Sequence, residues 1–180
     1  LDRVVGPNGA GKSTFIALGL ASTLPGSVSV NADDIARRNW PADSGQHAYD
    51  AARIAAATRA ALIGRGLSFI AETVFSHPSK LDLLDQAHAR GYTVVVHALV
   101  IPEDLAVERV AHRVRAGGHN VPEVKIRERH RRLWPLVVAA LERADLATVY
   151  DNSVLAGPQV CARLAAGTPI GDPTWPGWAP

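Results

Sequence analysis

Short apolar runs alternate along the chain with amphipathic stretches that repeat every three to four residues. The runs predict strands at Leu1–Val5, Ser27–Asn31, Ser68–Ala71, Thr93–Val100 and Ala147–Tyr150. The amphipathic stretches predict helices at Lys12–Thr23, Gln46–Ile63, Ser79–Arg90, Pro102–Ala116, Pro122–Leu141 and Pro158–Ala166. Leu24-Pro25-Gly26, Gly64-Arg65-Gly66 and Gly91 punctuate them. Strands alternating with helices imply parallel strands joined by crossover helices, so an α/β fold is expected, with a five-stranded parallel sheet between helical layers. Residues 1–166 are read as one domain. The remaining 167–180 form a tail with four Pro, three Gly and two Trp, where no regular structure is expected. Trp175 and Trp178 would dock this tail on the domain or on a partner.

In an open parallel sheet, ligands sit beyond the carboxyl ends of the strands, so the residues that follow each strand carry the chemistry. After the first strand stand Gly6, Pro7, Asn8, Gly9, Ala10, Gly11, Lys12, Ser13 and Thr14. This is the GxxxxGK[ST] phosphate-binding pattern between a strand and a helix. Glycines let successive N–H groups turn inward on one anion, and the helix adds its positive end. Lys12 can reach the β- and γ-phosphates, and the Ser13 hydroxyl is placed to ligate Mg²⁺. ATP with Mg²⁺ is therefore the expected ligand.

The second strand empties into Asn31-Ala32-Asp33-Asp34 and the third into Glu72-Thr73. Either aspartate can cap the short helix that follows. With two in a row, Asp33 is read as the base for an attacking hydroxyl and Asp34 as the cap or an outer group. Glu72 is read as a binder of substrate hydroxyls or a Mg²⁺ neighbour acting through water, a role Asp33 could share. Thr73 is a candidate substrate contact. The last strand ends in Asp151-Asn152-Ser153, with Asn152 expected beside the nucleotide.

Net charge is only +2, but residues 109–132 hold eight Lys or Arg against Glu123 and Glu128. Beside a phosphate loop, this block reads as phosphate clamping by planar arginine forks. Arg109 and Arg113 lie one turn apart, Gly117-Gly118 make a turn, and Arg127, Arg129, Arg131 and Arg132 begin the next helix. The arrangement predicts a lid closing over triphosphate. Arg127 and Arg131 share one helix face and Arg129 and Arg132 another, so one set is expected to face solvent. Arg113 is assigned to the nucleotide, and His119 at the hinge to phosphate or substrate. No Cys/His spacing supports zinc. No run of about 18 apolar residues exists to span a membrane. The N-terminus shows no signal-peptide pattern. The lone Cys161, in an apolar helical pattern, is expected to be a buried hydrophobe. A cytoplasmic location fits these features.

From Val4 to Ser153 the chain resembles the zeta-toxin family of P-loop kinases. The resemblance rests on the phosphate loop, Asn31-Ala32-Asp33-Asp34-Ile35-Ala36, Glu72-Thr73, Tyr150-Asp151-Asn152-Ser153, and the string from Arg109 through Arg113, Gly117-Gly118-His119, Val121 and Pro122. It implies a P-loop kinase fold with an arginine-bearing helical lid. It implies phosphorylation of a hydroxyl on UDP-N-acetylglucosamine or a related nucleotide sugar, and an antitoxin partner. By the same resemblance Asp33 acts as base, Glu72 binds substrate, and Arg129 and Arg132 stabilise the transferring phosphoryl group. The chain resembles the compact branch of the family, and His130 stands where many relatives have Tyr.

Other readings share the loop. Another small-molecule or antibiotic-modifying kinase would use the same fold. A transport- or repair-type ATPase would need a signature segment that Asp43-Ser44-Gly45-Gln46-His47 does not supply. A non-catalytic nucleotide-binding module could use the basic lid on nucleic acid, and its affinity would fall steeply with salt. A kinase of small molecules is not expected to bind nucleic acid.

Overall fold

A computed structural model of the chain describes residues 1–118 and 120–179. Seven strands form one sheet: β1 (Asp2–Val5), β2 (Val28–Val30), β3 (Phe69–Thr73), β4 (Val95–Val100), β5 (Leu146–Asp151), β6 (Gln159–Ala165) and β7 (Thr168–Pro169). Their order is β2-β3-β1-β4-β5-β6-β7. The first five pair in parallel, as the alternating pattern predicts. The last two extend the sheet in the antiparallel sense, giving seven strands instead of five.

The phosphate loop leads into one helical segment over 12–23. It comprises α1 (Lys12–Phe15), a π-helical stretch (Ile16–Leu20) and α2 (Ala21–Thr23). The other helices are α3 (Ala32–Asn39), α4 (Ala48–Gly64), α5 (Asp82–His88), α6 (Glu103–Arg115) and α7 (Glu123–Arg143), with a 3₁₀ turn at Pro78–Lys80 before α5. Two apolar cores make the three layers. On one face Val5, Phe69, Ala71 and Phe75 pack with Ala55 of α4, Leu84 of α5 and Leu133 of α7. On the other, Val4, Ile70 and Leu99 pack with Ile16, Ala106 of α6 and Ile126 of α7.

The predicted helix over Pro158–Ala166 is instead the strand β6, running antiparallel along all of β5. Its alanines favour a helix by intrinsic propensity, but β5 would otherwise leave a row of unpaired backbone groups at the sheet edge. Pairing with that edge outweighs local preference. Cys161 lies on this strand, buried and unbridged, so its expected burial holds while its helical setting does not. The tail likewise contributes β7, two residues long and ending in Pro169, which cannot donate to a further strand. Trp178 packs on Trp134 with ring centroids 6.3 Å apart, whereas Trp175 is half exposed.

Candidate active site

The carboxyl ends of β1, β2, β3 and β5 meet at the phosphate loop. Gly6 sits at φ +150°, and a Cβ there would stand 2.2 Å from the Leu99 carbonyl oxygen on β4, so no larger residue fits. Gly11 precedes the helix at φ +82°, where a Cβ would lie 2.6 Å from Asn152 Nδ2. The same Nδ2 donates to the Ala10 carbonyl at 2.9 Å. Asn152 thus ties the end of β5 to the loop backbone, a positioning contact that its place after a strand did not reveal.

Lys12 is buried, and its Nζ donates to the carbonyls of Gly6 (3.1 Å) and Pro7 (2.9 Å). Burial pulls its ammonium down to about 8; Glu72 and Asp33 oppose this and Arg113 adds to it. Asn8 is also buried, and its Oδ1 has no hydrogen-bond partner among the described residues.

Ser13 Oγ donates to Glu72, 3.0 Å from each carboxylate oxygen. Asn31 Nδ2 donates to Glu72 Oε2 at 2.7 Å. Asn31 is also the cap of α3, its Oδ1 accepting from Asp33 N at 2.8 Å. The capping role read for Asp34 therefore belongs to Asn31, because the residue just before the first helical turn is the one whose side chain folds back onto it. Asp34 pairs instead with Arg37.

These residues line a cleft of about 550 Å³, which also takes in Asp33, Thr14, Thr73 and Gly9. Thr73 Oγ1 donates to the Val74 carbonyl at 3.3 Å. The donors beside Ser13 are hard oxygens, as Mg²⁺ requires. No cluster of three or more acidic, His or Cys side chains that could hold a metal occurs among the described residues. Mg²⁺ is commonly held by one or two protein oxygens directly, with others acting through water, together with phosphates. Ser13, Glu72 and Asp33 are the residues that would hold it.

The basic block divides, and Arg129 and Arg132, expected on one face, do not share a setting. Arg109 and Arg113 of α6 and Arg129 of α7 line the cleft. Arg127 instead binds Glu103 (2.9 Å), Asp104 (2.8 Å) and Glu123 (2.9 Å), fastening α6 to α7, and Arg131 lies 3.6 Å from Glu103. Arg132 is exposed and does not line the cleft. His119 lies outside the described residues. His130 is buried against the Ile101 carbonyl at 2.9 Å. Arg37 and Lys80 line the cleft although no sequence motif pointed to them. Lys80 ends the 3₁₀ turn that follows β3, so it too stands beyond the carboxyl end of a strand.

The zeta-toxin family model matches residues 3–154. Comparison with curated proteins gave no match. Among solved structures, the PezAT toxin–antitoxin system of Streptococcus pneumoniae superposes with a TM-score of 0.65 at 15% identity, over 83% of this chain and 66% of that one. The AvrRxo1-ORF1–ORF2 complex gives 0.71 at 15% identity, over 94% and 59%, and has also been solved with ATP. Shikimate kinase from Acinetobacter baumannii, solved with shikimate, gives 0.52 at 23% identity, over 79% of each chain. These likenesses show a shared P-loop kinase fold. The chain spans 66% and 59% of the first two neighbours' lengths.

Proposed function

The chain belongs to the zeta-toxin family, and on that premise we propose that it is an ATP- and Mg²⁺-dependent kinase that transfers the γ-phosphate to a hydroxyl of a small acceptor. The observation that carries this reading is the meeting of Lys12, Ser13, Glu72 and Asp33 in one cleft. A phosphate loop alone binds triphosphate, whereas a carboxylate facing it supplies a base.

In this reading the acceptor hydroxyl gives its proton to Asp33 as its oxygen bonds the γ-phosphorus. The bond from that phosphorus to the β–γ bridging oxygen breaks, and ADP leaves. Lys12 and the loop N–H groups of Gly6–Thr14 hold the phosphates, with Asn152 fixing the loop. Arg129 and Arg113 neutralise charge that spreads over the transferring oxygens. Bound Mg²⁺ supplies further neutralisation of the phosphates. Glu72 and Thr73 orient the acceptor, which we take to be UDP-N-acetylglucosamine or a related nucleotide sugar. An antitoxin partner, a cytoplasmic setting and a catalytic unit of residues 1–166 with a docked tail complete the reading.

Incubation with ATP, Mg²⁺ and a panel of nucleotide sugars and metabolites, followed by mass spectrometry, tests it. A gain of one phosphate on an acceptor is expected. Hydrolysis of ATP with water as the sole acceptor would favour an ATPase instead.

A further inference from the structure

α7 carries Arg129 into the cleft, and the same helix contains Pro135 in its interior. Proline has no N–H to donate to the Arg131 carbonyl one turn back, so the helix is weakest at that turn. Beyond the proline, Val137, Ala140 and Leu141 are buried in the core and fix the second half of the helix. Before it, residues 123–134 hold Arg129 together with Arg127 and Arg131.

A row of three rings supports this first half. His130, next to Arg129, is buried, and its Nε2 donates to the Ile101 carbonyl at 2.9 Å, just past the end of β4. The Trp134 ring, beside the proline, meets the His130 ring edge-on with centroids 6.4 Å apart. Trp178 of the tail closes the row, 6.3 Å from Trp134. The tail is itself tied down before it reaches α7. Ile170 N donates to the Arg163 carbonyl and Thr174 N to the Cys161 carbonyl, each at 2.7 Å on β6. Trp178 Nε1 is buried without an acceptor among the described residues, so ring packing and not a hydrogen bond holds the contact.

We propose that Trp178 is a positioning residue. Through Trp134 and His130 it holds the first half of α7 against the end of β4, and so keeps Arg129 in the cleft. Packed side chains in unbroken contact can carry such an effect, and a proline joint gives the helix segment somewhere to move. The importance of Arg129 to transfer rests on the kinase reading above; the brace on α7 does not.

The test uses the whole chain and compares Trp178→Ala and Trp178→Phe, each alone and combined with Arg129→Ala. Trp178 is only partly buried at the edge of the core, so its truncation leaves the core intact. Trp178→Ala should lower kcat about tenfold to hundredfold, as misplacing a group at a reacting centre does, with the KM for ATP within about threefold. Trp178→Phe keeps a ring on Trp134 and loses no hydrogen bond, so it should restore most of the rate. With Arg129 already replaced, Trp178→Ala should cost less than about twofold more. Amide hydrogen exchange should speed up over residues 123–134 in Trp178→Ala, with β1 and β4 unchanged. An unchanged kcat, an equal loss with and without Arg129, or exchange that rises evenly over the chain would each overturn the proposal. Exchange is read without any phosphoryl transfer. A chain that phosphorylates nothing would lose the kinase reading, while unaltered exchange over 123–134 would remove the brace alone.

Discussion

Ser13 Oγ lies 3.0 Å from both carboxylate oxygens of Glu72, so the head of the first helix and the end of β3 converge on one carboxylate. Asn31, leaving β2, donates to the same group at 2.7 Å. Two strand ends and the head of a helix are thereby held together at the point where a cation and the acceptor would meet.

Glu72→Gln keeps the shape of this junction but removes its charge. Transfer should fall about a hundredfold, in line with the loss of one electrostatic group at a reacting centre. The concentration of Mg²⁺ giving half the maximal rate should rise. Initial rates across a Mg²⁺ titration check this, and an unchanged midpoint would place Glu72 away from the metal.

Asp33→Asn isolates the base. Asn31 caps α3 through the backbone N–H of Asp33, so the Asp33 side chain can change without uncapping the helix. Nucleotide affinity should stay within about threefold while kcat falls about 10²- to 10⁴-fold. Normal turnover by the variant would remove Asp33 from the chemistry.

Arg129 and Arg132 came out of the sequence as equals, and the structure separates them. Arg129 lines the cleft, while Arg132 is exposed and outside it. Arg129→Ala should lower kcat about a hundredfold or more, and Arg132→Ala by a few-fold at most. Rates of the two single variants decide, and equal losses would mean that α7 turns when substrate binds.

The phosphate loop, Asp33, Glu72 and the parallel sheet were legible because each obeys a local rule: glycine spacing, strand-end acids, alternating periodicity. What was not legible depended on partners distant in the chain. β6 forms because β5 offers an edge, not because Gln159–Ala165 prefers to be extended. Asn31 caps α3 from its place before the first turn, but that the same side chain also reaches Glu72, 41 residues away, follows from no local rule. Lys80 and Arg37 belong to no motif, and only the folded chain brings them to the same cleft.

Lys12 ties stability to pH in a direction opposite to that of a lysine held in an ion pair. Its folded value, about 8, lies below the 10.5 of a free lysine. Below pH 8 both folded and unfolded chains carry the proton, and the full cost of burying it is present. Between 8 and 10.5 the unfolded chain binds more protons, so stability rises with pH, and the cost is gone above both values. Lys12→Met removes this titration. Urea unfolding of both proteins across that range should show the wild type gaining up to about 3 kcal/mol relative to the variant. Arg3, also depressed by burial, titrates in both proteins and cancels in the difference. Nucleotide affinity should move the other way. Triphosphate favours the charged lysine, so wild-type affinity should weaken as pH rises above about 8, while residual binding by Lys12→Met should stay flat. Parallel stability profiles for the two proteins would show that Lys12 keeps its proton throughout and that its burial costs the fold nothing.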